Sequence, residues 1–567
     1  MKLLTALAPE LVLIAVACVL FFFGTSHKAA MRRLSALIAL VTLVAVFVWQ
    51  GYAFLNAGSE TLVDEFNVVH VGAFALFVKM LVAGVGAVLV LLAWPGNENA
   101  TGSGSMNVGS DVGEYFGLTL LALAGVFLVS SANDIVLLFL AIELAAIPTY
   151  IMVAISRPLP VAQEAGVKYF FLGAMAAAVM LFGFSYIYGG TGQIKLDAIA
   201  GTIDALRNGN AWAVPPVSSF LLMGLIVLLA GFAFKIAAVP FHAYVGDVYQ
   251  GAATPVTALL AFVPKTSGFL AILKILAAIG GTNYVFPPVV GTVLWVVAVL
   301  TMTFGNVLGL LQLSVKRVLA YSSIAHSGYI LVAVTALVMA APQLGAGEAA
   351  TRVHQSAIQG ILFYLTAYGL MNAGAFGILM LLPTRAHKQM GEDETPPTAT
   401  TAETFEDLAG QGRRHPLLGL GMAICCFSLI GLPLTIGFFG KIYLIKPALD
   451  AKLYWLVVLT MINAAISAAY YLKIVSAMFI RPLPADEVDA PAAAAEPRSL
   501  PLSIGVGVSV VATLLLGIAL PWVDALTTRI GAAAGTAGVT PVVPAQVVET
   551  PVISTPGAAV PVTSAAK

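Results

Sequence analysis

Seven lysines, one deep glutamate and two histidines stand inside runs of this chain that are otherwise almost solid hydrocarbon. The lysines are Lys79, Lys168, Lys235, Lys265, Lys274, Lys441 and Lys473; the glutamate is Glu143, in L-F-L-A-I-E-L-A-A-I-P; the histidines are His242 and His326. A charge at membrane depth costs about 2.5 to 3.5 kcal/mol even on the lenient insertion scale, so seven unpaired ammonium groups would cost about 17 to 25 kcal/mol. That exceeds the stability of an ordinary domain, about 5 to 15 kcal/mol. The groups must therefore be hydrated, paired or neutral, and each condition suits a path for protons or ions. Lysine fits such a path because a low dielectric drives off its proton and a nearby carboxylate restores it.

Glu143 lies five residues before Pro148, and Lys168 lies early in the next apolar segment, within Q-E-A-G-V-K-Y-F, where it is the expected charge partner of Glu143. A buried pair that only fixes helix packing is the alternative, but such pairs stabilise poorly. Lys235 precedes one helix break and Lys441 follows another. Lys265, in A-F-V-P-K-T-S-G-F, follows its own helix-disturbing Pro264. Snorkelling to a span end is an alternative for Lys441 but not for Lys235, which has apolar residues for over two turns on either side. Lys274 and Lys473 lie nearer span ends and Lys79 has no break or partner nearby, so these three are read as structural. His326 sits in the half-polar stretch V-L-A-Y-S-S-I-A-H-S-G-Y, able to hold water. Both histidines titrate near neutrality and can shuttle protons through either ring nitrogen, or simply be hydrogen-bonded in place.

The elements that position these groups follow from composition. The chain has 567 residues, 60% hydrophobic and 10% charged, with mean hydropathy +0.97; soluble domains carry about 25% charged residues. The fold expected is all-α and integral to the membrane. At about 20 apolar residues per span, fourteen spans are expected: 8–24, 34–55, 70–94, 113–130, 134–155, 164–188, 216–245, 254–279, 285–310, 317–341, 356–382, 416–440, 453–480 and 501–521. The first is read as a retained helix, because no basic n-region or A-x-A-like site accompanies it. Basic residues outside the spans divide twelve to eight, which puts both termini outside the cytoplasm by the positive-inside rule.

Two spans carry internal breaks, F-K-I-A-A-V-P-F-H at 234–242 and G-L-P-L-T-I-G-F-F-G-K at 431–441. Broken helices at corresponding places in two halves point to an inverted-repeat transporter. The expected organisation is 1–112 with helices 1–3, a first repeat at 113–280 (helices 4–8), a second, inverted repeat at 285–480 (helices 9–13), a linker and last helix at 481–530, and a disordered Ala/Val/Pro/Thr tail at 531–567. The net charge of zero gives no face for nucleic acid. Cys18, Cys425 and Cys426 lack the spacing of iron–sulfur or zinc sites, no His/Asp/Glu cluster has metal-ligand spacing, and no phosphate-binding glycine loop is present. No cofactor is expected on this chain.

At D-V-Y-Q-G-A-A-T-P-V-T-A-L-L (247–260) the chain resembles the antiporter-like membrane subunits of respiratory complex I. The likeness continues through S-A-N-D-I-V-L-L-F-L-A-I-E-L (131–144), K-Y-F-F-L-G-A (168–174), K-R-V-L-A-Y-S-S-I-A-H-S-G-Y (316–329), F-Y-L-T-A-Y-G-L-M-N-A-G-A-F (363–376) and both breaks, over about 110–480. Within that family the D-V-Y-Q-G run and a lysine in the twelfth span favour subunit N over its paralogues M and L. The resemblance implies proton translocation in an energy-conserving bacterial membrane, driven by NADH-to-quinone electron transfer in other subunits that hold flavin, iron–sulfur clusters and quinone. It implies neighbouring subunits M and K. It also implies a site of Glu143, Lys168, Lys235, Lys265 and Lys441, with His242 and His326 between them. The sequence departs from the family at Gly246, Ala253, Pro264 and Leu434, which puts loop and break geometry in question. A cation/proton antiporter subunit without redox partners is the competing reading, since it shares the lysine–glutamate logic.

Overall fold

The computed structural model describes residues 2–26, 28–57, 61–95, 112–157, 159–207, 217–281, 284–345, 347–382, 402–482 and 499–518. The expected tail at 531–567 and most of the linker lie outside these residues. Hydrocarbon offers no partner for backbone polar groups, so apolar runs of this length close their hydrogen bonds internally as helices. In chain order these are α1 (Lys2–Ala6), α2 (Ala8–Gly24), α3 (Ala29–Leu55), α4 (Ala73–Leu92), α5 (Val112–Ser131), α6 (Ile135–Ile155), α7 (Pro160–Thr191), α8 (Leu196–Arg207), α9 (Val217–Lys235) and α10 (Val245–Gly251). They continue with α11 (Thr254–Gly280), α12 (Pro288–Leu310), α13 (Val315–Leu344), α14 (Glu348–Leu381), α15 (Phe405–Leu408), α16 (Gln411–Arg414), α17 (Pro416–Ile430), α18 (Ile436–Asp450), α19 (Tyr454–Phe479) and α20 (Leu500–Ile518). A two-residue hairpin, Leu62–Val63 with His70–Val71, lies between α3 and α4.

Among the described residues twelve helices are long and apolar enough to cross a membrane, with the shorter apolar helices α2 and α17 beside them. Local chemistry fixes their starts. Asp134 caps α6 by accepting from the amides of Val136 and Leu137 at 2.8 and 3.2 Å, and proline occupies the first turn of α7, α11, α12 and α17. Burial sorts the helices radially. Every residue of α11 is buried, α13 and α14 are nearly so, and α3, α7 and α19 expose broad apolar faces. A charged side chain on α11 or α13 thus meets protein rather than lipid.

Both expected breaks are present. After α9 the chain is irregular from 236 to 244 before α10; after α17 it is irregular from 431 to 435 before α18. The freed backbone groups find partners in protein, as hydrocarbon depth demands. At the first break Val239 N donates to Thr301 Oγ1 at 3.0 Å and Tyr244 OH donates to Phe234 O at 2.9 Å. At the second, Gly431 adopts φ +89°, which suits a residue without a Cβ, and Gly437 N donates to Ser428 Oγ at 3.1 Å. Leu434 sits at φ +70°. Proline, fixed near −65°, could not adopt that backbone.

Candidate functional site

Glu143 projects from the middle of α6, which runs close to α5 because Gly125 leaves no room for more: a Cβ there would collide with the backbone of Ala145. Lys235 ends α9 at the first break. Its Nζ lies 2.9 Å from Glu143 Oε1 and donates to Tyr150 OH at 3.0 Å; both Lys235 and Tyr150 are buried. Lys168 therefore does not fill the role expected of it. It sits on the exposed side of α7, 44% exposed, paired with Glu164 at 2.7 Å and Asp247 at 3.3 Å. Arg317 approaches the other oxygen of Asp247 at 3.5 Å. The neighbour of Lys168, Tyr169, is the residue on α7 that turns inward, its ring 4.5 Å from that of Tyr150. Successive helical residues point about 100° apart, so one faces in and the other out.

From Lys235 the polar groups continue from helix to helix, through α11 and α13 to α18. A cavity lined by Tyr169, Lys235, Tyr244, Tyr249, Pro264 and Lys265 lies between the two lysines, with room for about one water molecule. Lys265, on wholly buried α11, donates to Ser323 O and to Ser327 Oγ, the latter at 2.8 Å. Those two residues flank His326 on α13. His326 Nδ1 lies 2.5 Å from Tyr364 OH and Nε2 lies 3.0 Å from Tyr471 OH. In either neutral tautomer one nitrogen donates and the other accepts, so the tyrosines on opposite sides are matched as acceptor and donor. Tyr364 packs against Gly440, beside Lys441. Lys441 Nζ donates to Ile430 O at 2.7 Å and lies 4.7 Å from the centre of the Tyr329 ring.

Five of the residues singled out in the sequence, Glu143, Lys235, Lys265, His326 and Lys441, thus fall into one buried series. His242 does not join it. Partly exposed, it packs its ring 6.2 Å from that of Phe304 toward the outer face of α12. The linking tyrosines Tyr150, Tyr364 and Tyr471 were not singled out in the sequence; the i, i+4 spacing of Tyr364 and Tyr368 is the one local signal for them. Lys79, read as lacking a partner, has one: its Nζ is 2.7 Å from Glu10 Oε1, and both side chains are buried. Lys274 donates to Ala132 O at 2.9 Å, and Lys473 lies 4.6 Å from the centre of the Phe405 ring. No group of three or more His, Cys, Asp or Glu is placed to hold a metal ion among the described residues.

Residues 132–467 match the family described as NADH:quinone oxidoreductase/Mrp antiporter, TM. NADH-quinone oxidoreductase subunit N of Trichlorobacter lovleyi is 34% identical over 485 residues, covering 84% of this chain and 88% of that protein. The chain belongs to the NADH-quinone oxidoreductase subunit N family. The subunit N fold is also found in solved structures. A chain of respiratory complex I from Thermus thermophilus with bound Aureothin superposes with a TM-score of 0.68 at 26% identity, over 91% of this chain and 97% of that one. A chain of the Mrp complex from Dietzia sp. DQ12-45-1b shares the fold at 19% identity with a TM-score of 0.71, over 94% and 99%. Fold is therefore common to the redox and antiporter assemblies, and it is sequence that aligns this chain with subunit N.

Proposed function

We propose that this chain translocates protons as a membrane subunit of an NADH:quinone oxidoreductase, through Glu143, Lys235, Lys265, His326 and Lys441. The observation that carries this reading is the Glu143–Lys235 ion pair at a helix break, continued through a water-sized cavity and buried hydrogen bonds toward the lysine beside the second break. Each lysine holds or releases a proton according to its neighbour's charge, and Tyr150, Tyr364 and Tyr471 extend the series through their hydroxyls. Lys168 acts at the edge, loading or orienting charge through Asp247, and His242 acts from the outer face of the first break. The helices form fourteen spans in two inverted repeats, 113–280 and 285–480, with both termini outside the cytoplasm of a bacterial inner membrane. Electron transfer, with flavin, iron–sulfur clusters and quinone, belongs to partner subunits; M and K are the neighbours that fit.

The test is purification of the assembly that contains this chain. NADH:quinone activity with proton pumping in proteoliposomes supports the reading; an assembly that exchanges cations for protons without such activity supports the antiporter instead. In the purified complex Glu143→Gln should cut protons pumped per NADH severalfold, far more than it cuts assembly. Wild-type stoichiometry in that variant would make Glu143 structural.

A further inference from the structure

The series just described leaves a second buried charge group unused. Glu10, in the first turn of α2, and Lys79, on α4, are both buried, with Nζ 2.7 Å from Oε1. Yet among the described residues neither carboxylate oxygen nor the ammonium makes a hydrogen bond of acceptable angle. A pair retained for stability would be expected to satisfy its remaining lone pairs and protons, because otherwise its desolvation exceeds its attraction. Lys274, on α11, lies within electrostatic reach of Lys79 and donates to Ala132 O. The group thus contains two amines and one carboxyl, all enclosed.

A polar route leads from it to the surface. Asn133, next to Ala132, donates to Asn67 O at 3.1 Å, and Asn67 donates to Asp197 Oδ2 at 2.7 Å. On the other side of Asn133, Asp134 pairs at 3.5 Å with Lys195, which is 24% exposed. Inward, Lys274 shares α11 with Lys265 nine residues away, about 14 Å at ~1.5 Å per residue. That is too far for direct transfer but lies along one buried helix.

We propose that Glu10, Lys79 and Lys274 form a second, enclosed proton-exchange site at the α2 N-terminal end of the bundle, reached from the Asn133–Lys195 edge. The proposal rests on the proton-translocating reading above and adds to it a branch on the first half of the molecule. The exchange balances. Transfer of a proton from Lys79 to Glu10 turns the ion pair into a neutral acid and amine. Lys274, which donates to Ala132 O beside the Asn133–Lys195 edge, then returns a proton to Lys79. Lys274 is refilled from that edge, so the site takes up one proton, and the reverse sequence releases it.

Two measurements on the intact complex decide it. A hydrophobic carbodiimide reacts with a carboxyl only when it is protonated, so peptide mapping of the labelled wild-type complex should find the adduct on Glu10. Labelling of Glu143 but not Glu10 would overturn the proposal by showing a permanent ion pair. The double variant Glu10→Gln/Lys79→Gln removes both charges without leaving either unpaired, and it should assemble, oxidise NADH and pump fewer protons per NADH. A wild-type ratio there, with loss in Glu143→Gln, overturns this site and leaves the main series standing. Wild-type ratios in both variants would instead remove the main reading. If the double variant fails to assemble, the labelling of the wild type decides between the two outcomes.

Discussion

The two helix breaks hold their lysines by different means. At the first, Lys235 faces a full opposite charge on Glu143 at 2.9 Å and a phenol at 3.0 Å, and it ends α9, where the helix dipole favours a cation. At the second, Lys441 has only partial charges: the carbonyl of Ile430 at the end of α17 and the face of Tyr329. No carboxylate lies within ion-pair distance of Lys441 among the described residues. The first break is therefore built to keep an ammonium and the second to let one go. In the series proposed from Glu143 to Lys441 this asymmetry would give direction, because a proton would leave a site that holds it only when a neighbour's charge changes. A membrane potential supplies about 2.3 kcal/mol per charge per 100 mV, and one pKa unit corresponds to about 1.4 kcal/mol, so modest electrostatic switching is on the scale of the work to be done.

The largest effect expected is at Lys235. Lys235→Ala should abolish coupled pumping through this chain, and Lys235→Arg should be nearly as damaging, because arginine keeps the charge but does not release its proton. Proton pumping and NADH oxidation, both normalised to assembled complex, make the comparison. An arginine variant that pumps normally would show a fixed charge at the first break and erase the distinction drawn between the two.

A smaller effect sharpens the distinction. Removing one partner of a buried ion pair typically costs about 3 to 5 kcal/mol, so Lys235→Met should lower the yield of assembled complex by stranding Glu143. Lys441→Met strands no carboxylate among the described residues. It should assemble close to wild type while its pumping falls severalfold. Equal assembly defects in the two variants would mean that Lys441 has a counter-charge after all, supplied from outside the described residues.

Much of this was legible in the sequence because it rests on local signals. Apolar runs gave most helices to within a few residues, although α9 ends at Lys235 rather than 245, the expected span 416–440 falls on α17 and on α18, which runs on to Asp450, and α3, α7 and α14 begin earlier than their hydropathy suggests because their first turns are polar: Arg32 and Arg33, Gln163 and Glu164, and Arg352 and His354. The proline-bearing motifs located both breaks. Pairings between distant helices were not legible. Glu143 and Lys168 lie on consecutive helices and look like partners, but Lys168 is rotated outward and the partner of Glu143 stands 92 residues away. Glu10 stands beside Pro9 at the start of the first apolar run, and nothing local ties it to Lys79. The tyrosine hydroxyls that bridge His326 come from two other helices, so no window of sequence contains the motif.

The smallest effect concerns a contact beside the first break that touches neither lysine. Glu403 Oε1 lies 2.5 Å from Arg157, just past α6, and 3.2 Å from Lys316, in the first turn of α13; Lys316 also donates to Ala252 O, just past α10, at 2.6 Å. The clamp thus ties the segment carrying the first break to the helix carrying His326. Burial pushes the Glu403 carboxyl up, but Lys316 and Arg157 together hold it below the ordinary glutamate value. A carboxyl whose pKa is lowered on folding contributes stability that is fully present above its unfolded value and is lost as pH falls through the folded one. Glu403→Gln should therefore destabilise the subunit by roughly 1 to 3 kcal/mol at neutral pH, with only a small loss of pumping. The gap between variant and wild type in thermal dissociation of the solubilised complex should narrow as the pH is lowered through the lowered pKa, because protonation of wild-type Glu403 removes the same charge. A gap that does not change with pH would show that the clamp acts by shape rather than charge, and the segment carrying the first break would then have to be held against α13 by packing alone.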